Sequence, residues 1–238
     1  MPYRRFPKTD TARLKSLKTL LDNNDTYAAR QRFLDWQTVN SAKSLYDRLL
    51  TQSRQFLICY EAQMRNYRRL AKPQANMTLY VTHFVKVLFM SVERGEIKRA
   101  ALASFYGITP DSEEEMWRQL KNADYLCGFA PKLVEGEKRR IAAGGRPIYN
   151  PTIGMVATHF DIFRDIYEQQ AILNDKAGRA LDVLKETRRE VDSRLVEIWN
   201  AVEEHYADLP VDDRVEACRK FGLIYYYRTG EKRPNELH

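Results

Sequence analysis

A chain of 238 residues, 44% of them hydrophobic, has enough apolar material for a water-soluble core, either as one domain or as two small ones. No run approaches the roughly 18 consecutive apolar residues of a membrane-spanning helix, and no apolar signal-peptide core follows the basic N-terminus, so membrane insertion is not expected and a cytoplasmic location is. The formal net charge of +7 admits an anionic partner, whereas Cys59, Cys127 and Cys218, odd in number and widely spaced, read as small hydrophobes rather than metal ligands.

Residues 2–6, aromatic and basic between two prolines, fit a strand or an extended arm. Thr9 or Asp10 can cap a short helix through Leu14, Leu17, Leu20 and Leu21, ended by Asn23-Asn24-Asp25. Thr26 opens a long helix to about Lys72. Its 3–4 stripe runs Trp36, Val39, Lys43, Tyr46, Leu50, Ser53, Leu57, Tyr60, Met64, Tyr67, Ala71, with Leu45, Leu49 and Phe56 as a second flank. Pro73 is expected to stop it. A third helix fits Met77 to Glu93, and Gly95 kinks or breaks it before a run from Glu96 to Tyr106. Gly107 to Pro110 is a turn, and Asp111 to Glu115 an acidic helix start or an exposed loop. Helix resumes from about Asn122 to Ala143, with Gly144-Gly145 as its C-cap.

The longest element spans about 151–209. Its stripe passes through Ile153, Val156, Phe160, Phe163, Tyr167, Gln170, Asn174, Ala177, Leu181, Leu184, Arg188, Val191, Leu195, Ile198, Val202, His205 and Leu209, without an internal proline. Asn150-Pro151-Thr152 marks its start, with Pro at the first helical position. Beyond it come a short helix from Asp212 to Phe221, a strand at Leu223 to Tyr227, and a turn at Thr229-Gly230. The N-terminal arm is the favoured partner for that strand. The expected fold is all-α: an elongated antiparallel helical bundle with two long helices (about 26–72 and 151–209) and a short C-terminal strand. It forms one domain over 1–238, with 210–238 as a small appendage.

Residues 1–72 carry 15 basic and 6 acidic side chains, and 151–209 carry 7 and 12. Packed side by side, the two long helices would absorb much of the basic surplus internally. Two segments, Gly95 to Ala101 and Gly136 to Ala142, share the order Gly, Glu, any residue, basic, Arg, any residue, Ala, and so raise the question of an internal repeat. Arg94-Gly95-Glu96, Glu135-Gly136-Glu137, Gly144-Gly145-Arg146-Pro147 and Asn150-Pro151 before a long helix together resemble an uncharacterised family of bacterial all-helical proteins. The likeness covers about residues 80–228. It implies a bacterial source and a helical fold. That family has no established activity, so no catalytic residue carries over.

If the chain turns at both 73–76 and 144–150, two basic clusters meet at one end. Arg68, Arg69 and Lys72, next to Arg65, would face Lys138, Arg139, Arg140 and Arg146, beside helix N-termini near Met77 and Thr152. Such an end suits phosphate or another anion, with Tyr67 and Tyr149 as candidates for stacking on a base. Lys and Arg near helix C-termini also serve as ordinary caps. His83, His159 and His205 lack a Glu three residues earlier, so no metal site or other cofactor is expected. No nucleophile motif or phosphate loop is present, and no catalytic residue is named. The expected role is a non-catalytic helical scaffold or protein-interaction module with a protein partner, or as a homodimer. Nucleic-acid or phosphoanion binding is the alternative, and no membrane partner is expected.

Overall fold

The computed structural model describes residues 2–26 and 32–228, and the expected turn at Thr229-Gly230 lies outside them. The element order is β1 (Tyr3–Arg4), α1 (Asp10–Thr26), α2 (Trp36–Glu93), α3 (Ala100–Tyr106), α4 (Pro110–Gln119), α5 (Ala123–Ala142), α6 (Ile153–His205), α7 (Val211–Lys220) and β2 (Tyr225–Tyr226). The fold is all-helical apart from one two-stranded sheet. In it β1 pairs antiparallel with β2, Tyr3 opposite Tyr226 and Arg4 opposite Tyr225, so the N-terminal arm is the strand's partner.

The main departure from expectation is α2. It begins at Trp36 rather than Thr26, because Asp35 caps it: one carboxylate oxygen accepts from the Thr38 N–H at 2.7 Å and the other from the Thr38 hydroxyl at 2.8 Å. These hydrogen bonds hold the Asp35 carboxyl below its usual pKa. Thr26 instead closes α1, which runs through Asn23-Asn24-Asp25 because Asn24 is buried there, and packing overrides weak local propensity. Nor does Pro73 stop α2; it lies inside the helix. Proline in a helix interior costs roughly 3 kcal/mol, and the burial of Leu70, Met77, Val81, Phe84 and Leu88 on either side of it offsets that cost. The helix ends at Gly95, whose φ of +74° allows the Glu96 N–H to bond back to the Ser91 carbonyl at 2.9 Å.

The buried seam of α2 also differs from the expected stripe. Trp36, Leu57, Tyr60 and Tyr67 are exposed, while Ala42, Leu45, Leu49, Asn66, Leu70, Met77, Val81, Phe84 and Leu88 are buried. The flank rich in Leu and Met has the same 3–4 period as the tyrosine-rich stripe, and it buries more completely. On α6 the expected stripe is the buried one: Val156, Phe160, Phe163, Gln170, Ala177, Leu184, Val191, Leu195, Ile198 and Val202. That helix starts at Ile153, two residues beyond the proline, after a cis Asn150-Pro151 bond, and Thr152 caps it. It ends at His205 rather than Leu209.

The chain divides into two compact units. Unit 1, residues 1–60 and 176–238, centres on Leu17, Leu20, Leu45, Leu49, Leu195 and Trp199, with Val215, Cys218, Phe221 and Leu223 completing its core. Residues 211–225 therefore belong to that core. Beside local pairs such as Arg189 to Glu186, some of its ion pairs join distant segments: Arg13 to Asp192, Arg188 to Asp10, Arg48 to Glu190 and Arg4 to Glu203.

Unit 2, residues 61–175, packs α3, α4 and α5 with the C-terminal part of α2 and the N-terminal part of α6. Thr109 and Ser112 form a capping box, and Pro110 starts α4, so the acidic segment is a helix start rather than a loop. The Asn122 side chain caps α5 at the Asp124 and Tyr125 N–H groups. Gly144, with φ of +90°, closes α5, and the Gly145 N–H bonds to the Arg140 carbonyl at 3.0 Å. The two similar segments therefore take different structures. Gly95 terminates a helix, whereas Gly136 lies inside α5, where a Cβ would stand 2.3 Å from the Phe105 carbonyl oxygen. They are not a structural repeat.

Candidate functional site

Because α2 runs straight through Pro73, the two halves of the expected basic cluster do not share a helical end. Arg68, Arg69 and Lys72 are exposed on α2, in no ion pair among the described residues, and Met77 is a buried mid-helix residue rather than a helix N-terminus. The 144–150 loop instead borders Val87 and Ser91 of α2 and Arg94 just beyond its end. At about 1.5 Å per residue, Lys72 lies on the order of 20 Å along the helix from Val87. Tyr67 goes with the first group and Tyr149 with the second; both are largely exposed.

The second group splits further. Lys138 is exposed. Arg139 is exposed too, and its Nη2 donates to the Phe105 carbonyl at 3.0 Å. Arg140 is buried and held through its Nε and Nη2. Its Nε donates to Glu137 Oε2 and to the Tyr106 hydroxyl oxygen, both at 2.8 Å, and its Nη2 to Glu137 Oε1 at 2.8 Å and to the Arg146 carbonyl at 2.7 Å. Tyr106 donates its hydroxyl to Glu137, and the Ile148 N–H reaches the same carboxylate at 3.2 Å. Glu137 is fully buried and satisfied on both oxygens. Burial, and then the bond to Glu137, push the Tyr106 phenol far above its ordinary pKa, while the bond to Glu137 raises that of Arg140. This network ties α3, α5 and the 144–148 loop together. A Glu three residues before an Arg reads in sequence as surface helix support; only the crossing of α3 at Gly136 reveals that the pair is internal.

Around the loop lies a groove of about 760 Å³ bordered by Val87, Ser91, Arg94, Glu96, Ile97, Arg140, and 144–150. A second hollow of about 390 Å³, lined by Leu79, Tyr80, His83, Lys86, Pro151 and Met155, adjoins it through Val87 and Asn150. His159 stacks on Tyr80 at 3.9 Å. His83 is exposed at the hollow. Among the described residues no three His, Cys, Asp or Glu side chains converge as metal ligands, and no helix is long and apolar enough to cross a membrane.

The chain matches no protein-family model, no curated protein and no solved structure, so no family is identified.

Proposed function

We propose that the protein is a non-catalytic helical interaction module, and that the bare face of α2 in unit 2 binds an acidic amphipathic helix of a partner protein. One observation carries this reading. Arg68, Lys72, Ala75, Leu79, His83, Lys86, Met90 and Arg94 follow one another at steps of three and four, and every one is exposed. The stripe contains cations and apolar groups and no carboxylate; among the described residues only Arg94 of these is ion-paired, to Glu96 at 3.0 Å. A basic amphipathic face of this kind, extending about 39 Å along the helix, complements a helix that presents Leu or Met anchors between Glu and Asp. The backbone of α2 is already hydrogen-bonded internally, so the partner would dock through side chains and not as an added strand. In this role the protein works in a reducing cytoplasm with its cysteines as free thiols.

Tyr67, exposed beside Arg68, gives the second reading some footing, since an aromatic among cations also suits single-stranded nucleic acid. Fluorescence anisotropy separates the two. A labelled synthetic helix with Leu at i, i+4 and i+7 flanked by Glu should bind the wild type, and Leu79→Glu should abolish that binding. A labelled oligonucleotide of equal charge should bind more weakly and with a steeper salt dependence. Tighter oligonucleotide binding, insensitive to Leu79→Glu, would move the assignment to nucleic acid. Concentration-dependent dimerisation dissolved by Leu79→Glu would make the partner a second copy of the chain.

A further inference from the structure

We propose that the groove between the C-terminal end of α2 and the 144–150 loop binds a small phosphorylated molecule, with the phosphate seated on the open edge of Arg140. Three features of unit 2 lead there. The first is the Arg140 guanidinium. Its Nε and Nη2 are committed to Glu137, Tyr106 and the Arg146 carbonyl, but Nη1 makes no hydrogen bond among the described residues, and the residue borders the groove while only 6% exposed. A guanidinium fixed by four hydrogen bonds loses little further freedom when it receives an anion, so its remaining edge is a pre-organised donor.

The second feature is Gly145. Its φ is not in the left-handed region, so backbone conformation does not require glycine there. Space does: a Cβ at this position would stand 2.6 Å from Arg140 Nη1 and 2.8 Å from the Arg140 carbonyl oxygen. The absent side chain leaves the free edge of the guanidinium uncovered.

The third is the composition of the groove. Arg94 and Arg146 border it alongside Arg140, against the carboxylates of Glu96 and the buried Glu137, so three cations meet two anions. The exposed Arg94–Glu96 pair is cheap to exchange for a bound anion. Three guanidinium groups around one hollow suit the several oxygens of a phosphate better than the two of a carboxylate. Val87, Ile97 and Ile148 supply apolar floor, and Tyr149, 76% exposed at the rim, offers a flat surface for an aromatic body. A volume of about 760 Å³ is in the range of small-molecule sites. This site does not depend on the α2 stripe being an interface.

Isothermal titration of the full chain with AMP, and with inorganic phosphate as a competitor, tests the assignment at low salt. One-to-one binding of AMP displaced by phosphate is expected. Arg146→Glu should weaken it by at least about tenfold, and Gly145→Ala should do the same by covering Nη1. Lys138→Glu changes the same charge outside the groove and should leave affinity unaltered, as should Leu79→Glu. No binding of AMP or phosphate at millimolar concentration overturns the proposal. So does binding that Arg146→Glu leaves intact, or that Lys138→Glu weakens equally, since the latter marks non-specific attraction to net charge. Circular dichroism and melting of each variant confirm that the fold persists, and Arg146, being exposed, can be changed without disturbing the core.

Discussion

Unit 1 and unit 2 use the same two long helices and spend their charges differently. In unit 1, arginines on β1, α1, α2 and α6 reach carboxylates far away in sequence, as in Arg13 to Asp192 and Arg48 to Glu190. Among the described residues the ion pairs found in unit 2 stay within short sequence distances, the longest of them joining Arg99 to Glu113, and Arg94, just beyond the end of α2, pairs with Glu96. The basic surplus of the N-terminal third is thus partly absorbed by acidic α6 in unit 1, while Arg68, Arg69 and Lys72 in unit 2 have no such partner among the described residues. Where cations are not used to hold segments together, they remain available to a ligand.

The sharpest way to break this contrast is to remove the deeply buried ion pair of Arg140 and Glu137. Glu137→Ala would leave Arg140 charged and uncompensated in the interior, and should cost about 3–5 kcal/mol. Chemical denaturation measures the loss. Amide exchange should show it in α3 and α5, with α1 and α7 keeping their protection. Uniform loss in both units would mean that they unfold as one cooperative body, and the comparison between them would lose its energetic content.

Next in size is a device the units share, the passage of one backbone over a glycine in another element. Gly222, with φ of +82°, sits where a Cβ would meet the Ser16 carbonyl at 2.4 Å, and the Ser16 hydroxyl donates to the Gly222 carbonyl at 2.8 Å. Gly222→Ala carries both backbone strain and a clash, and should cost about 2–4 kcal/mol. Gly136→Ala in unit 2 carries only the clash against α3, for about 1–3 kcal/mol. Paired melting curves rank the two; the reverse order would show that α3 yields less than α1.

Much of the helical architecture was readable from residue spacing. The α6 seam, the Thr9 cap, the resumption of helix near Asn122, the Gly144 terminus and the pairing of residues 2–6 with the C-terminal strand all follow from local patterns that tertiary contacts reinforce. The course of α2 was not readable, because the cost of Pro73 is local whereas the burial that offsets it comes from helices far along the chain. That one residue decided the expected site, since a turn at 73–76 was what brought Arg68 and Arg69 to Arg139 and Arg140. The conversion of Arg140 from a surface cation to a buried one depends on Gly136 letting α3 approach, a contact between residues thirty positions apart. The 144–150 loop, by contrast, was already marked by Gly144-Gly145 and Arg146.

A smaller effect is expected where α2 and α6 meet inside unit 2. There the seam is polar: Asn66 Nδ2 donates to Gln170 Oε1 at 3.0 Å and to the Ile166 carbonyl at 3.1 Å, and Gln63 and Gln170 both donate to Asn174. Asn66→Leu alone strands the Gln170 carbonyl and should cost about 1–3 kcal/mol. Adding Gln170→Leu should recover most of that loss, because an apolar pair at a seam position packs without unmet hydrogen bonds. A double-mutant cycle reads the coupling. If the double variant is also less stable or changes its oligomeric state, the amides set the register of this seam as well as filling it.

The smallest predicted effect is alkaline, and it treats the units alike. Tyr106 donates to Glu137 in unit 2, and Tyr225 to Glu203 at 2.6 Å in unit 1; burial first and the glutamate second push both phenols well above the ordinary value. A raised phenol pKa means that the unfolded chain loses its proton first, so stability is fully present below about pH 10 and falls as the pH rises beyond it. Half a pH unit above that point the loss should be under about 1 kcal/mol per tyrosine. Tyr106→Phe and Tyr225→Phe should each flatten the slope of stability against pH by a similar amount, whatever they do to stability at neutral pH. A slope changed by only one of them would show that the other phenol titrates freely in the folded chain, and that its hydrogen bond to glutamate does not hold the proton.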